Sequence, residues 1–349
     1  MFDPFDGYAA GLISNPNMIV AGSIGAGKST VVKMLLDRAL VRGRRVVVID
    51  PKGEYASLAN AYSATSIALG RDGWCSPFAM SDRDGLDLAR ALLGSAQGDA
   101  LSSEQHFVLD EAWRQLPTPR PSRLLRSLYE LLEESTHSDE PSGRRSLALL
   151  LYRFIYGDLA GLFDGEGEPL EFTGDLVVLD LSAQWAANSL SVAALSAVAA
   201  AQQVVSAQGT FGYLVLDEAW ALLADPHALR WLQGSWKLAR ARGLSHVLVL
   251  HRWSDVAAAG DAGSAQRERA QGLLRECETA WLFRQPPDEA REMAQVLALH
   301  PKEQRYLASL AKGSALVRYG RHRSIVSFNP DHRDVRFIDT DAAMRDGVR

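Results

Sequence analysis

Cysteine is scarce in this chain of 349 residues, with Cys75 and Cys277 as its only two thiols. They form no metal-ligand spacing and fit a reducing compartment, where free thiols are the norm. A secretory leader is also missing, because the opening MFDPFDGYAAGL has neither a basic n-region nor an apolar h-region. No hydrophobic run is suited to spanning a bilayer. The nearest, Leu190 to Ala207, is rich in Ala and Ser, contains Gln202 and Gln203, and reads as a buried helix. Positive charge is not in excess either: 37 Lys and Arg face 42 Asp and Glu, a net charge of -5. No global basic field draws the chain onto nucleic acid, so any DNA contact must come from a local patch or from assembly. Internal repeats are absent. What is there is 47% hydrophobic and 23% charged, the composition of a soluble globular protein, and long enough for one large or two ordinary domains. The expected location is cytoplasmic, with peripheral docking at the inner face of a membrane left open.

Met18 to Ala21 reads as a short apolar strand running into a glycine-rich loop. Val32, Leu35, Leu36 and Leu40 then follow a helical period over Ser29 to Val41, and Gly43 ends that helix. Arg45 to Asp50, RVVVID, has the uninterrupted apolar interior of a buried parallel strand. Strand, loop, helix and strand make a βαβ unit. From about Gly85 to Gly165 strand-like runs vanish, and Leu-rich pieces such as Leu124 to Glu133 and Ser146 to Tyr156 alternate with polar, Pro-rich breaks. Apolar strands resume at Leu176 to Leu181, Tyr213 to Leu216, His246 to Leu250, Thr279 to Phe283, Ala315 to Tyr319 and Ser324 to Phe328. The expected fold is a doubly wound α/β core over 1–85 and 166–330, interrupted by an all-α insertion at 86–165 and followed by a charged tail at 331–349. Breaks at Pro117 to Pro121 and Ser138 to Gly143 are the expected sites of limited proteolysis.

GSIGAGKS, Gly22 to Ser29, matches the phosphate-loop pattern G-x-x-x-x-G-K-[ST]. Gly22, Gly25 and Gly27, with Ser23, Ile24 and Ala26 between them, let successive backbone N–H groups face phosphate oxygens. Lys28 brings a flexible charge to the β- and γ-phosphates. The Ser29 hydroxyl suits Mg²⁺, and Ser29 and Thr30 open a helix whose positive end faces the anion. ATP with Mg²⁺ is the implied ligand.

Hydrolysis needs an apolar strand ending in Asp, to support the Mg²⁺ shell, and an adjacent Glu to polarise water. The peptide VLDEAW occurs twice, at Val108 to Trp113 and at Val215 to Trp220. The second copy follows Gly212-Tyr213-Leu214, as a buried strand would, and assigns the roles to Asp217 and Glu218. The first has Phe107, Ala112, Trp113 and Leu116 at helical spacing, so Asp110 and Glu111 read as a solvated helix face. Asp50 and Glu54, in the turn DPKGEY after the second strand, stand where ligands bind in such sheets, though a turn built for shape explains them equally well. His251 and Arg252 end a later strand, where a polar group could sense the γ-phosphate. Lys237, Arg240 and Arg242 precede that strand. They read as a solvated helix end or, more sharply, as the source of an arginine finger. Arg318, Arg321, His322 and Arg323 read as a solvated hairpin rather than a nucleic-acid patch.

The ordered set FDPFDGYAAGL, NMIVAGSIGAGKS, VVVIDPKGEY, YLVLDEAWALL and the strand leading to HRWSDV resembles the conjugal-transfer ATPases of type IV secretion systems, the TraC-like branch of the HerA/FtsK superfamily of P-loop motors. GLFDG at Gly161 to Gly165, followed by LVVLDLS, is similar to that family's passage out of its helical insertion. The resemblance runs from about Phe2 to Phe328. It implies a RecA-like P-loop NTPase core with strand order 5-1-4-3-2, an all-α insertion and a hexameric homo-oligomer. It also implies ATP hydrolysis that drives conjugative transfer or secretion, and partners in a membrane-bound secretion machine. Carried over by motif, Lys28 and Ser29 hold phosphate and Mg²⁺, and Asp217 and Glu218 are the hydrolytic pair. Asp50 and Glu54 gain a site role, and Arg240, in a basic R-x-x-G run, is a finger acting on a neighbour. The family usually has Gln where this chain has His251, whose imidazole can also donate a hydrogen bond. Its members also carry a large N-terminal docking domain, whereas this chain starts almost at the motor, as a trimmed motor or a stand-alone member would. Rival functions are a DNA translocase or helicase of the same superfamily, a nucleotide-gated scaffold with little turnover, and a small-molecule kinase. The last fits poorly, since kinases need a lid and an acceptor pocket rather than a VLDE strand.

Overall fold

Among the described residues nine strands form one sheet: β1 (Met18–Ala21), β2 (Arg45–Asp50), β3 (Ser66–Ala68), β4 (Leu176–Asp180), β5 (Gly212–Leu216), β6 (Leu244–Leu250), β7 (Thr279–Phe283), β8 (Ser314–Tyr319) and β9 (His322–Ser327). The structure is a computed structural model. It describes residues 2–338 apart from 65, 79, 135–141, 166–167, 186–188, 207–210, 258–259 and 261–262. The strand order is β3-β4-β2-β5-β6-β1-β7-β8-β9. Pairing is parallel from β3 through to β7, while β8 and β9 are antiparallel additions. Within this sheet β7-β1-β6-β5-β2 is the expected core order 5-1-4-3-2 of a RecA-like ATPase. The sheet is wider than that core, extended by β4 and β3 at one edge and by the β8–β9 hairpin at the other. β3 escaped the sequence reading because three half-buried edge residues, SIA, make no periodic run.

The central strands are buried along their whole length. Their side chains alternate between two cores, as the period of a strand requires. Met18, Val20, Val46, Val48, Val215, Val247 and Val249 share a core with Val31, Val32, Leu35 and Leu36 of the helix Lys28–Val41. Ile19, Val47, Ile49, Leu214, Leu216, Leu248 and Leu250 face the other side, where the Ala-rich helix Leu190–Ser206 lies. Each fully buried Val or Leu contributes about 1.5–3 kcal/mol. With both faces apolar, polar chemistry is confined to the ends of the strands.

Between β3 and β4 the described residues hold four long helices, Asp82–Gln97, Ser103–Gln115, Leu124–Glu134 and Ser142–Ile155, and no strand. The second begins with a capping box, Ser102 and Gln105 each accepting the other's backbone N–H. This helix contains the first VLDEAW: Val108, Leu109, Ala112 and Trp113 are buried, Glu111 is exposed, and Asp110 pairs with Arg90 at 2.6 Å. The helix Asp82–Gln97 packs on Leu190–Ser206 and on Pro226–Leu238, so one apolar core runs from the sheet into the helical stretch. The break at Pro117 to Pro121 is clamped rather than loose. Arg120 donates to the carbonyls of Trp113 and Leu116 at 2.8 and 2.9 Å and lies over the Trp113 ring. Of the second expected break, residues 138–141 lie outside the described residues.

Arg321, His322 and Arg323 are exposed, as a solvated hairpin requires, but Arg318 is half-buried. Its guanidinium donates to the carbonyls of Leu297 and Cys277, and burial pulls its pKa down. Arg323 pairs with Glu303 at 2.8 Å.

A fully buried histidine sits at the opposite end of the sheet from the strand tips. The His246 backbone N–H donates to Asn17 Oδ1 at 3.0 Å, its Nε2 lies 3.3 Å from the Gln202 amide, and its ring stacks on Trp236. Burial, with Arg242 nearby, lowers its pKa from 6.5 to about 3. The folded protein therefore holds the imidazole neutral, while the unfolded chain takes up a proton below about pH 6.5. Its contribution to stability is complete above that pH and is lost as pH falls from 6.5 toward 3. His246→Gln is expected to flatten the fall in stability between pH 6.5 and 4.5 by about 1.4 kcal/mol per pH unit. Urea unfolding of both proteins across that range measures it, and equal slopes would show that His246 is not the group that titrates.

Candidate active site

The loop between β1 and the helix Lys28–Val41 is anchored at both ends. Gly22 N–H donates to Leu250 O at 3.2 Å, Ser23 N–H to Arg284 O at 2.8 Å, and Ala26 O accepts from Gly313 N–H at 2.9 Å. Gly22 has no room for a side chain: a Cβ would stand 2.5 Å from Phe283 Cβ. Gly27 has φ +100, a backbone that favours glycine, and it caps the helix without any side chain taking the first N–H groups. Those N–H groups and the helix dipole make an anion site. Ser29 and Thr30 are half-buried in the first turn, and Ile24 and Gly25 are exposed on the loop. Lys28 is buried. Its Nζ donates to Gly22 O at 2.6 Å and Ser23 O at 3.0 Å. Burial lowers its pKa to about 8, against the opposing pull of Asp217 and Glu218.

Asp217 and Glu218 follow β5, the neighbour of both β2 and β6. Asp217 N–H donates to Ile49 O at 3.2 Å, and Asp217 Oδ1 accepts the Glu218 N–H at 3.0 Å. Oδ2 of Asp217 is buried with no hydrogen-bond partner among the described residues. Glu218 has φ +53, an unusual backbone for a residue with a side chain. Its Oε2 accepts from Trp220 Nε1 at 2.7 Å. Its Oε1 is in ion-pair contact with Lys52 Nζ and lies 2.8 Å from His251 Nε2, off the hydrogen-bonding axis. Burial raises the Glu218 pKa, but His251 and Lys52 outweigh it and the carboxyl is held below its usual range. Burial opposes charge on His251, yet Asp217 and Glu218 prevail and its pKa is raised. One ligand atom from each of Asp217, Glu218 and His251 lies within 4.8 Å of the others.

The phosphate loop, Asp217, Glu218 and His251 thus meet at the carboxyl ends of β1, β5 and β6. Of the two readings of Asp50, its contacts support the turn built for shape. Its carboxylate faces its own turn, accepting the N–H groups of Lys52, Glu54 and Tyr55 at 3.2, 3.1 and 2.9 Å. Burial raises its pKa to about 6. It shapes the turn that carries Lys52. Glu54 is half-buried, near enough for its charge to act on Lys28. Arg240 is not on a helix: Pro226–Leu238 ends before it, and it lies exposed in the following turn. It is also far from this chain's own phosphate loop. It precedes β6 while His251 follows it, and the seven residues Leu244–Leu250 span about 23 Å. Arg242 donates to Gln202 Oε1 at 3.2 Å inside the fold, and Arg284, a further basic residue, is exposed at the loop edge.

The sequence reading passed over Lys52, Trp185 and Trp220. Lys52 Nζ sits 5.3 Å from the Trp185 ring centroid, and Trp185 meets Trp220 edge to face. Lys52 lay in the quoted DPKGEY turn, so its charge was a readable signal. Trp185 lies far from that turn in sequence and gave none.

Glu218→Gln is expected to leave ATP binding intact and to slow hydrolysis about a hundredfold or more, the loss of a positioned base. Glu111→Gln, on an exposed helix face, is expected to change neither. Single-turnover hydrolysis of both variants checks the pair, and exchanged behaviours would move the hydrolytic role to the other VLDEAW.

The model of the family described as Helicase HerA, central domain, matches residues 12–204. Among solved structures, VirB4 of Thermoanaerobacter pseudethanolicus superposes with a TM-score of 0.79 at 21% identity, over 93% of this chain and 92% of that one. The plasmid coupling protein TrwB in complex with ADP and Mg²⁺ gives 0.59 at 20% identity, over 92% and 88%. TrwB with the non-hydrolysable analogue ADPNP gives 0.58 at 20%, over 88% and 83%. At such identities the likeness is one of fold. No curated protein matches the chain.

Proposed function

Since the chain belongs to the family of the HerA helicase central domain, we propose that it is an ATP-hydrolysing motor that powers conjugative transfer or type IV-like secretion of macromolecules. The observation that carries this reading is the meeting of Lys28, Asp217, Glu218 and His251 at the carboxyl ends of the central strands. Its fold is that of VirB4 over nearly the whole of both chains, which supports the transfer machine as the setting. TrwB is described with ADP and Mg²⁺ and with an ATP analogue, which supports the same ligands here.

In this mechanism residues Gly22 to Thr30 cradle the phosphates, and Lys28 leaves its loop carbonyls for the β- and γ-oxygens. Ser29 and the unpartnered Oδ2 of Asp217 supply hard oxygens suited to Mg²⁺. When bound, Mg²⁺ neutralises charge on the phosphate oxygens. Glu218 polarises the attacking water, and the His251 imidazole stands beside it, its pKa raised by Asp217 and Glu218. The motor works as a homo-hexamer, at the cytoplasmic face of a membrane-bound machine, with residues 86–165 as its helical module. Arg240 serves the neighbour's nucleotide, since its own lies at the other end of the sheet. A second reading, a DNA translocase or helicase, is favoured by the HerA family match itself.

ATP turnover with and without DNA separates the two. The transfer motor is expected to turn over without a DNA response, and stimulation by DNA would favour the translocase. Lys28→Ala is expected to abolish turnover under either reading, and normal activity in that variant would overturn both. Arg240→Lys is expected to lose about 10³-fold in turnover while still binding ATP. Mixing it with Lys28→Ala subunits is expected to restore part of the rate. Wild-type turnover by Arg240→Lys would remove Arg240 from the mechanism.

A further inference from the structure

Gln285 is a buried amide without a partner. Its side chain is 1% exposed, and neither Nε2 nor Oε1 has a hydrogen-bond partner among the described residues. Its backbone is satisfied, donating to Leu307 O at 3.0 Å. The residue before it, Arg284, offers its carbonyl to both the N–H and the hydroxyl of Ser23, at 2.8 and 3.0 Å. Gln285 is therefore fixed to the opening of the phosphate loop, at the tip of β7, beside β1.

A cavity of about 390 Å³ opens there, lined by Ser23, Ile24, Arg252, Gln285 and Glu289 among others. Glu289 is committed elsewhere: it accepts from the N–H groups of Trp253 and Ser254 and from the Ser254 hydroxyl at 2.8 Å. Asp288, which also lines the cavity, does not reach the Gln285 amide either, so the cavity is the route by which an acceptor comes to it. Arg252 follows His251, so this cavity adjoins the end of the site where the hydrolytic groups stand.

We propose that Gln285 reads the terminal phosphate: its Nε2 donates to an oxygen of the γ-phosphoryl group, and its Oε1 accepts from a water bound to that group. This inference rests on the reading of the site as an ATP site. An anion of high charge is the strongest acceptor for an amide N–H, and only the triphosphate places one past the β-phosphate. The residue then serves as a specificity determinant for ATP over ADP, from the side of β1 opposite β5 and β6. An amide left buried and unpaired is unfavourable, as expected of a group placed for a ligand.

The test compares affinity for ADPNP and for ADP in the full chain, in wild type, Gln285→Ala and Gln285→Met. Preference for ADPNP over ADP is expected to fall about tenfold in both variants, the loss of one hydrogen bond to a charged group, with ADP affinity nearly unchanged. Gln285→Met, which keeps the volume and removes the unpaired amide, is expected to melt higher than wild type without nucleotide. An unchanged preference overturns the proposal, as does an equal fall in both affinities, the mark of a merely structural role. A wild type without preference for ADPNP overturns it as well. Lys28→Ala provides the separate control: if it retains both nucleotides, the site reading fails, whatever Gln285 does.

Discussion

Asp50, Asp217 and Glu218 are three carboxylates buried at the ends of two adjacent strands, β2 and β5. A buried charge costs several kcal/mol unless it is paired or hydrogen-bonded. The local architecture is arranged around that cost. The turn after β2 folds back so that three of its N–H groups reach Asp50, and the same turn carries Lys52 to Glu218. The segment after β6 brings His251 to the pair, and Glu289 ties that segment down two residues later. Asp217 keeps one oxygen without a hydrogen-bond partner among the described residues. The concentration of buried negative charge is thus also what dictates the shape of two loops.

The two copies of VLDEAW show how far local sequence decides structure. In one, Leu109 and Trp113 fall on the buried side of a capped helix, and Asp110 meets Arg90 near the surface. In the other, Gly212 to Leu216 is flanked on both sides by parallel strands, and the carboxylates are driven inward. Identical residues take opposite structures because their neighbours differ: SSEQ supplies a capping box, whereas GYL supplies a buried strand. The distinction was legible from those flanks, as were the phosphate loop and the core strands with their long apolar runs.

What was not legible depended on contacts between distant segments or on very short elements. β3 has three residues. Trp185 reaches Lys52 and Trp220 only through the fold. Asp50 looked like a ligand group because strand ends usually are, yet its own turn takes its oxygens. Arg318 looked solvated because its neighbours in sequence are, yet it reaches back to the carbonyls of Cys277 and Leu297. For Asp50 and Arg318 the partner is a backbone group, and backbone groups leave no trace in residue type.

The left-handed backbone of Glu218 has a consequence beyond the reaction. A side chain held in that conformation costs on the order of 1–3 kcal/mol, a sizeable part of the margin by which a domain stays folded. A glycine there would relax the turn. With Glu218 as the proposed water-polarising carboxylate, the most robust form of this chain is not its working form. A laboratory selection rewarding heat resistance alone would erode Glu218 early, and only selection for the work itself keeps the residue in place.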